Sequence, residues 1–170
     1  MEFTKQTSAQ PEIVARAQQP YVAIRERVTM SGLAGLGARF GELFAWLESR
    51  RITPAGAPFF RYLLIDMDRE LEVDAGVPVA APVEGDGRVM PGVLPAGRYA
   101  ALTHVGPPSE LAEASSVLQA WAAGRGLTWD MSARDRAEDW GSRLEIYLTD
   151  PAQEPDASKW ETQLAFRLAD

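Results

Sequence analysis

Apolar side chains along this chain fall into two rhythms, one of period two and one of helical period, and the order of the rhythms is repeated. Tyr21-Val22-Ala23-Ile24 and Tyr99-Ala100-Ala101-Leu102 each begin as a short strand, followed by a polar or Gly/Pro break and then a helix. Leu33, Leu36, Phe40, Leu43, Phe44 and Leu47 share one helical stripe and predict a helix over about 32–51. Leu111, Ala114, Leu118, Trp121 and Ala122 repeat that stripe and predict a second helix over about 109–124. Ser109 suits its N-cap, and Glu110 and Glu113 suit the positive end of its dipole. "WLESRRI" (46–52) and "WAAGRGL" (121–127) end the two helices alike. Two alternating stretches follow each helix, over 58–66 and 70–79 in the first half and over 142–150 and 160–168 in the second. The Gly- and Pro-rich "AAPVEGDGRVMPGVLPAG" between the halves reads as a linker with a lead-in strand.

Each half is therefore strand, helix, strand, strand, and a single helix can bury its stripe only against its own sheet. The expected fold is α+β: a single domain over 11–170, behind a disordered tail at 1–10, made of tandem units at about 11–80 and 88–168. The antiparallel sheet is expected to carry both helices on one face and a ligand trough on the other. The alternation of "RLEIYL" (143–148) then acquires a direction. Leu144, Ile146 and Leu148, being uniformly aliphatic, are assigned beneath the helices, which turns Arg143, Glu145 and Tyr147 into the trough. Aligning the halves at Asp66 and Asp150 sets Arg61 opposite Glu145, and the same counting brings Tyr21, Phe59 and Tyr99 to that face. A carboxylate on the floor of an aromatic concavity is the pattern of a ligand site, although Glu145 could equally be spent in an ion pair with Arg143 or Arg61.

Composition removes many chemistries. With no Cys and a single His, disulfides, thiolate chemistry and a multi-histidine zinc site are excluded, and no metal or cofactor is expected. A net charge of −7 and a pI near 4.8 argue against a surface for nucleic acid or anionic membrane. No apolar run reaches spanning length and the first residues lack a signal-peptide core, so a cytoplasmic location is expected. Aromatic surroundings would desolvate Glu145, raise its pKa and sharpen its attraction for a cation or proton donor. Tyr147 shares its face and can hydrogen-bond it or stack on a ligand. Trp129 and Trp140 bracket a charged segment that reads either as a lid or as a loop anchored by two indoles. His104 reads as a strand-end histidine near the helix layer, and "GLGARFG" (35–41) as helical glycines that permit close packing rather than a nucleotide loop. "DMDRELEVD" (66–74) departs from a calcium loop, and no catalytic triad or carboxylate pair is visible.

The ordered set "YVAIRERV", "ELEVDAGVPV", "LPAGRYAALTHVGPPSEL" and "LEIYLTDP" resembles the GyrI-like small-molecule-binding domain, also called the bacterial effector-binding domain, over about 12–168. The resemblance implies a groove for hydrophobic, planar and often cationic compounds, in which a buried Glu on the late strand, here Glu145, is the key contact. It implies three kinds of work: drug sensing in fusion with DNA-binding helices, stand-alone binding of a toxin or protein partner, and hydrolysis of cyclopropane-bearing DNA alkylators. Only some ten residues precede the first strand, so the expectation is a stand-alone protein without direct nucleic-acid contact that captures a lipophilic compound in a detoxifying role. The alternative is a hydrolase in which Glu145 is general base and Tyr147 its polar assistant; inhibition of a protein partner such as gyrase ranks below both.

Overall fold

In the computed structural model, whose described residues are 10–170, these rhythms become an antiparallel sheet with two α-helices on one face. The tail expected at 1–10 lies, apart from Gln10, outside the described residues. The strands are β1 (Glu12–Arg16), β2 (Gln19–Val28), β3 (Phe59–Asp66), β4 (Leu71–Pro78), β5 (Met90–Leu94), β6 (Gly97–Val105), β7 (Met131–Arg134), β8 (Ala137–Trp140), β9 (Arg143–Tyr147) and β10 (Glu161–Arg167). The helices are α1 (Ala38–Ser49) and α2 (Leu111–Gly124). The sheet runs β1-β6-β10-β9-β3-β4-β2-β5, with the β7–β8 hairpin attached to β3. Its order is thus symmetric about the β9–β3 seam: β6, β10 and β9 on one side answer β2, β4 and β3 on the other.

The first helix is shorter than its stripe. Residues Met30–Gly37 form a 3₁₀ segment, capped by the Thr29 hydroxyl accepting from the Gly32 amide at 3.3 Å, before the α-helical turns begin. Three glycines in eight residues remove the helical preference that the apolar stripe suggests. The glycines of "GLGARFG" do not serve close packing: a Cβ at Gly35, Gly37 or Gly41 would meet nothing within 4 Å. The second helix likewise opens with a 3₁₀ turn at Pro108–Glu110, whose cap position is Pro107, so Ser109 does not cap it. His104 stands beside that turn, its Nε2 2.8 Å from Glu110 Oε1.

The two stripes cover opposite flanks of the sheet. Leu111, Ala114 and Leu118 of α2 pack on Ala100 and Leu102 of β6 and on Leu164 and Phe166 of β10. Leu43 and Leu47 of α1 pack on Val22 and Ile24 of β2 and on Val77 at the end of β4. The central strands β9 and β3 lie between the helices, with no helix directly above them.

The face away from the helices corrects the sequence expectation. There Tyr21, Phe59, Tyr99, Leu144, Ile146 and Ala165 form one packed cluster. The sheet curls, so residues from both halves close on one another and this face needs no helical cover. Tyr21, Phe59 and Tyr99 are 2%, 1% and 0% exposed, in core rather than in a trough. A Cβ added to Gly92 or Gly76 would collide with the Tyr21 and Phe59 rings respectively, which shows how tightly those rings lie over the neighbouring strands. The aliphatic side chains of β9 belong here, and Leu148 is half-exposed rather than beneath a helix. The register explains the reversal. Phe60 pairs with Glu145 and Arg61 with Leu144, one residue away from the alignment made at Asp66 and Asp150, and a one-residue slip exchanges the faces of a strand.

No helix among the described residues is long and apolar enough to cross a membrane.

Candidate ligand-binding site

The gap left between the helices is a cavity of about 1180 Å³. Its floor is built from alternate residues of the two uncovered strands: Phe60 and Tyr62 from β3, and Arg143, Glu145 and Tyr147 from β9. Leu33 from the 3₁₀ segment and Phe40 from α1 form one wall, and Leu111 and Ser115 from α2 the other. Met30, Phe44, Met67 and Leu148 ring the mouth and are 48%, 38%, 61% and 49% exposed. Apolar side chains this open, grouped about a single cavity, are the kind of patch that marks a binding site.

The floor is strongly aromatic. Phe40 stacks on Phe60 with centroids 5.2 Å apart, and Tyr147 meets the edges or faces of both at 5.8 and 5.3 Å. Phe60 in turn stands edge-on to Tyr62 at 6.4 Å. Glu145 opens into the cavity among these rings. Its Oε1 accepts a hydrogen bond from the Tyr147 hydroxyl at 2.7 Å, and the Tyr62 phenol is near enough to favour its ionised form. Burial pushes the Glu145 carboxyl above its ordinary value of 4.5, against the opposing pull of the two phenols and Arg143. The same burial, reinforced by the carboxylate, drives the Tyr147 and Tyr62 hydroxyls well above 10, so both remain proton donors at neutral pH.

Glu145 has no Arg, Lys or His nitrogen within 4 Å among the described residues. Arg143, its neighbour on the same face, turns elsewhere: Nη2 donates to Ser115 Oγ at 3.1 Å, and Nη1 is 3.8 Å from Glu138. The guanidinium also lies over the Phe166 and Trp140 rings, 4.4 and 4.8 Å from their centroids. Burial lowers the Arg143 pKa, though an arginine stays charged. Among the described residues the floor therefore presents a carboxylate held by the Tyr147 phenol, two residues from a guanidinium that is only partly paired. Asp150 and Glu161 add negative charge at the rim.

Of the residues selected from sequence, the structure brings Glu145 and Tyr147 together in the cavity, on the helix-facing side rather than in a trough opposite it. Tyr21, Phe59 and Tyr99 are on the other face. Trp129 and Trp140 are not at the cavity mouth: they flank the β7–β8 hairpin and pack on Phe166, with centroids 5.8 and 5.7 Å from it. They anchor the hairpin, and Trp140 backs Arg143. Phe60, Tyr62, Phe40 and Arg143 also line the cavity and are not among the residues selected from sequence. Their signal was present: Phe60 and Tyr62 of β3 and Arg143, Glu145 and Tyr147 of β9, at alternate positions, are aromatic or charged, where a covered strand would be aliphatic. Among the described residues, no group of three acidic or histidine side chains could hold a metal ion.

The phenol contact is testable by itself. Replacing Tyr147 with Phe removes a donor to the ionised carboxylate, so the Glu145 midpoint in a ¹³C carboxyl NMR titration is expected to move further up. A midpoint that stays put or falls would show that the 2.7 Å bond does not hold in solution.

The model of the GyrI-like small molecule binding domain matches residues 9–169, and the chain belongs to that family. It is thus a small-molecule-binding domain, over nearly its whole length. Its fold is similar to the EcmrR C-terminal domain, with a TM-score of 0.70 and 18% identity over 95% of this chain and 98% of that one. It is also similar to EcmrR in a complex with DNA, with a TM-score of 0.75 and 17% identity; the match covers 95% of this chain but spans only 57% of that longer one. SAV2435 bound to tetraphenylphosphonium has a TM-score of 0.64 and 10% identity, with 94% of each chain covered. No curated protein is matched.

Proposed function

We propose that this domain captures a hydrophobic, planar compound carrying positive charge, and that its biological role is to sequester or detoxify such a compound. The observation that carries this reading is the Glu145 carboxylate: it sits on an aromatic floor, hydrogen-bonded by the Tyr147 phenol, with no cation within 4 Å among the described residues. A carboxylate in that position is stabilised by a cation or by a proton, and the rings around it attract cations through their faces. The apolar mouth favours a lipophilic ligand over a hydrated ion. The ligand of SAV2435, a lipophilic cation, is consistent with the same preference.

The test is calorimetric titration with tetraphenylphosphonium across pH. This cation has no proton to lose, so any pH dependence belongs to the protein. The cation prefers ionised Glu145, so affinity is expected to rise as pH rises through the raised carboxyl pKa and to level off above it. The midpoint should lie above 4.5. Absence of binding, or affinity that falls with rising pH, would defeat the reading.

The same carboxylate supports a second reading, a hydrolase for cyclopropane-bearing DNA alkylators. A desolvated Glu145 is a stronger base than one in water, and Tyr147 can donate to an oxygen that gains charge as the ring opens. In that reaction Glu145 takes a proton from water, the water oxygen attacks the ring carbon, and the breaking C–C bond delivers its pair to the conjugated carbonyl. Mass spectrometry would then find a water-added product with the natural chain and none with Glu145→Gln. Intact compound from both leaves capture alone.

A further inference from the structure

A pocket for simple lipophilic cations gains nothing from a guanidinium on its floor, yet Arg143 is there. Its side chain is 16% exposed and lines the cavity, two residues from Glu145 on the same face of β9. That spacing sets their Cα atoms roughly 7 Å apart along the strand, with both side chains on the cavity side. The guanidinium is fixed rather than free: it stacks on Phe166 and Trp140 and bonds Ser115 of α2. Its pairing is incomplete. Only Nη2 makes a hydrogen bond among the described residues, and the approach of Nη1 to Glu138 is long. Nε and Nη1 are not among the buried, unsatisfied atoms, so they retain accessible surface on a residue that lines the cavity. The fork of an arginine, oriented and partly unpaired, is the protein's usual receptor for a carboxylate. Near a bound cation it would otherwise be a source of repulsion.

We infer that Arg143 forms a second polar subsite, and that the ligand is amphoteric: a planar aromatic compound with a cationic centre for Glu145 and a carboxylate or similarly anionic oxygen for Arg143. This rests on the capture reading and names the ligand class more narrowly. Arg143 is a specificity residue, setting which of two similar cations is held.

Fluorescence anisotropy with two dyes tests it. Rhodamine B is a zwitterion at neutral pH, and its ethyl ester is a cation of nearly the same shape. The natural chain is expected to bind the zwitterion about tenfold more tightly than the ester, an increment typical of one charge-assisted hydrogen-bonded pair. Arg143→Met, which keeps the apolar stem over Trp140 and Phe166, should erase that preference while the ester binds as well or better. Should Arg143→Met fail to fold, Arg143→Lys takes its place: it keeps the charge but loses the fork and the stacking, and the preference should fall several-fold. Equal affinity of the natural chain for both dyes, with the ester still dependent on Glu145, overturns the second subsite and leaves the capture reading intact. Equal weakening of both dyes by the Arg143 variants also overturns it, assigning Arg143 a structural role. If neither dye binds and tetraphenylphosphonium does not either, the capture reading falls and the inference falls with it.

Discussion

Glu145→Gln is expected to weaken tetraphenylphosphonium binding about a hundredfold at neutral pH, while making the unliganded domain more stable. The two effects have one cause. A cation roughly 5 Å from an ionised carboxylate gains about 3 kcal/mol at an effective dielectric constant near 20, and a neutral amide forfeits that gain. At 1.4 kcal/mol per decade the loss is about two orders of magnitude. In the empty site the same carboxylate is a burden, because burial raises its pKa above the value it has in the unfolded chain. The sign follows: between those two values the folded state holds the proton more tightly, so stability declines as pH rises through the window and stays lower above it. Gln carries no charge to desolvate and removes that decline. A gain of about 1 kcal/mol, or roughly 2–4 °C in melting temperature, is expected above the window and none below it. The pH dependence of cation affinity should vanish in the variant. Calorimetry and thermal melts at several pH values check both arms. A Gln variant that binds the cation within twofold of the natural chain would remove Glu145 from the site.

Asp74→Ala is expected to do the opposite, costing stability without touching affinity. Asp74 is 2% exposed and accepts hydrogen bonds from the Tyr21 hydroxyl at 2.7 Å and from Arg25 Nε and Nη2 at 2.8 and 3.1 Å. Arg61 Nη1 donates to the same Tyr21 oxygen at 2.9 Å, and its Nη2 to the Gly141 carbonyl at 2.8 Å, so this network ties β2, β3 and β4 to the loop before β9. Burial and the Asp74 carboxylate push the Tyr21 hydroxyl up to about 12, so it stays a donor throughout the physiological range. Removing Asp74 leaves the Tyr21 hydroxyl without its acceptor and Arg25 without its partner. The Arg25 side chain is 43% exposed and regains water, which limits the cost to about 2–3 kcal/mol, roughly 5–10 °C in melting temperature. Tetraphenylphosphonium affinity should be unchanged at temperatures where the variant is folded, because the whole network lies on the face away from the cavity. A folded Asp74→Ala protein with affinity reduced tenfold would mean that the two faces are coupled and the assignment of sites to faces is wrong.

Much of the fold was legible in local pattern. The stretches at 58–66, 70–79, 142–150 and 160–168 each contain a strand with limits within a few residues of those expected, because period-two alternation reports the pleat directly. The stripe of Leu111, Ala114 and Leu118 was read correctly as core. Two hairpin strands, β7 and β8, were missed, since "WDMSARDRAEDW" offers charge rather than alternation, and β1 was hidden in the run before Tyr21. The apolar stripe predicts a longer first helix than forms, because the glycines within it favour the 3₁₀ start over 30–37.

What the sequence by itself determined is the chemistry of each strand: which residues share a face, and that Glu145 and Tyr147 stand together on one of them. Period two makes that a local property. Which face looks at what was decided only by tertiary structure. Leu144 and Ile146 looked like the helix-facing set because aliphatic side chains must be buried, but the curl of the sheet buries them against Tyr99 and Ala165 without a helix. The two helices cover β6, β10, β2 and β4, and so leave β9 and β3 open between them. The carboxylate, the guanidinium and the rings therefore face a cavity because of where the helices are not. That is a consequence of long-range strand order and of a register one residue away from the apparent one, and neither is written in any local stretch of the chain.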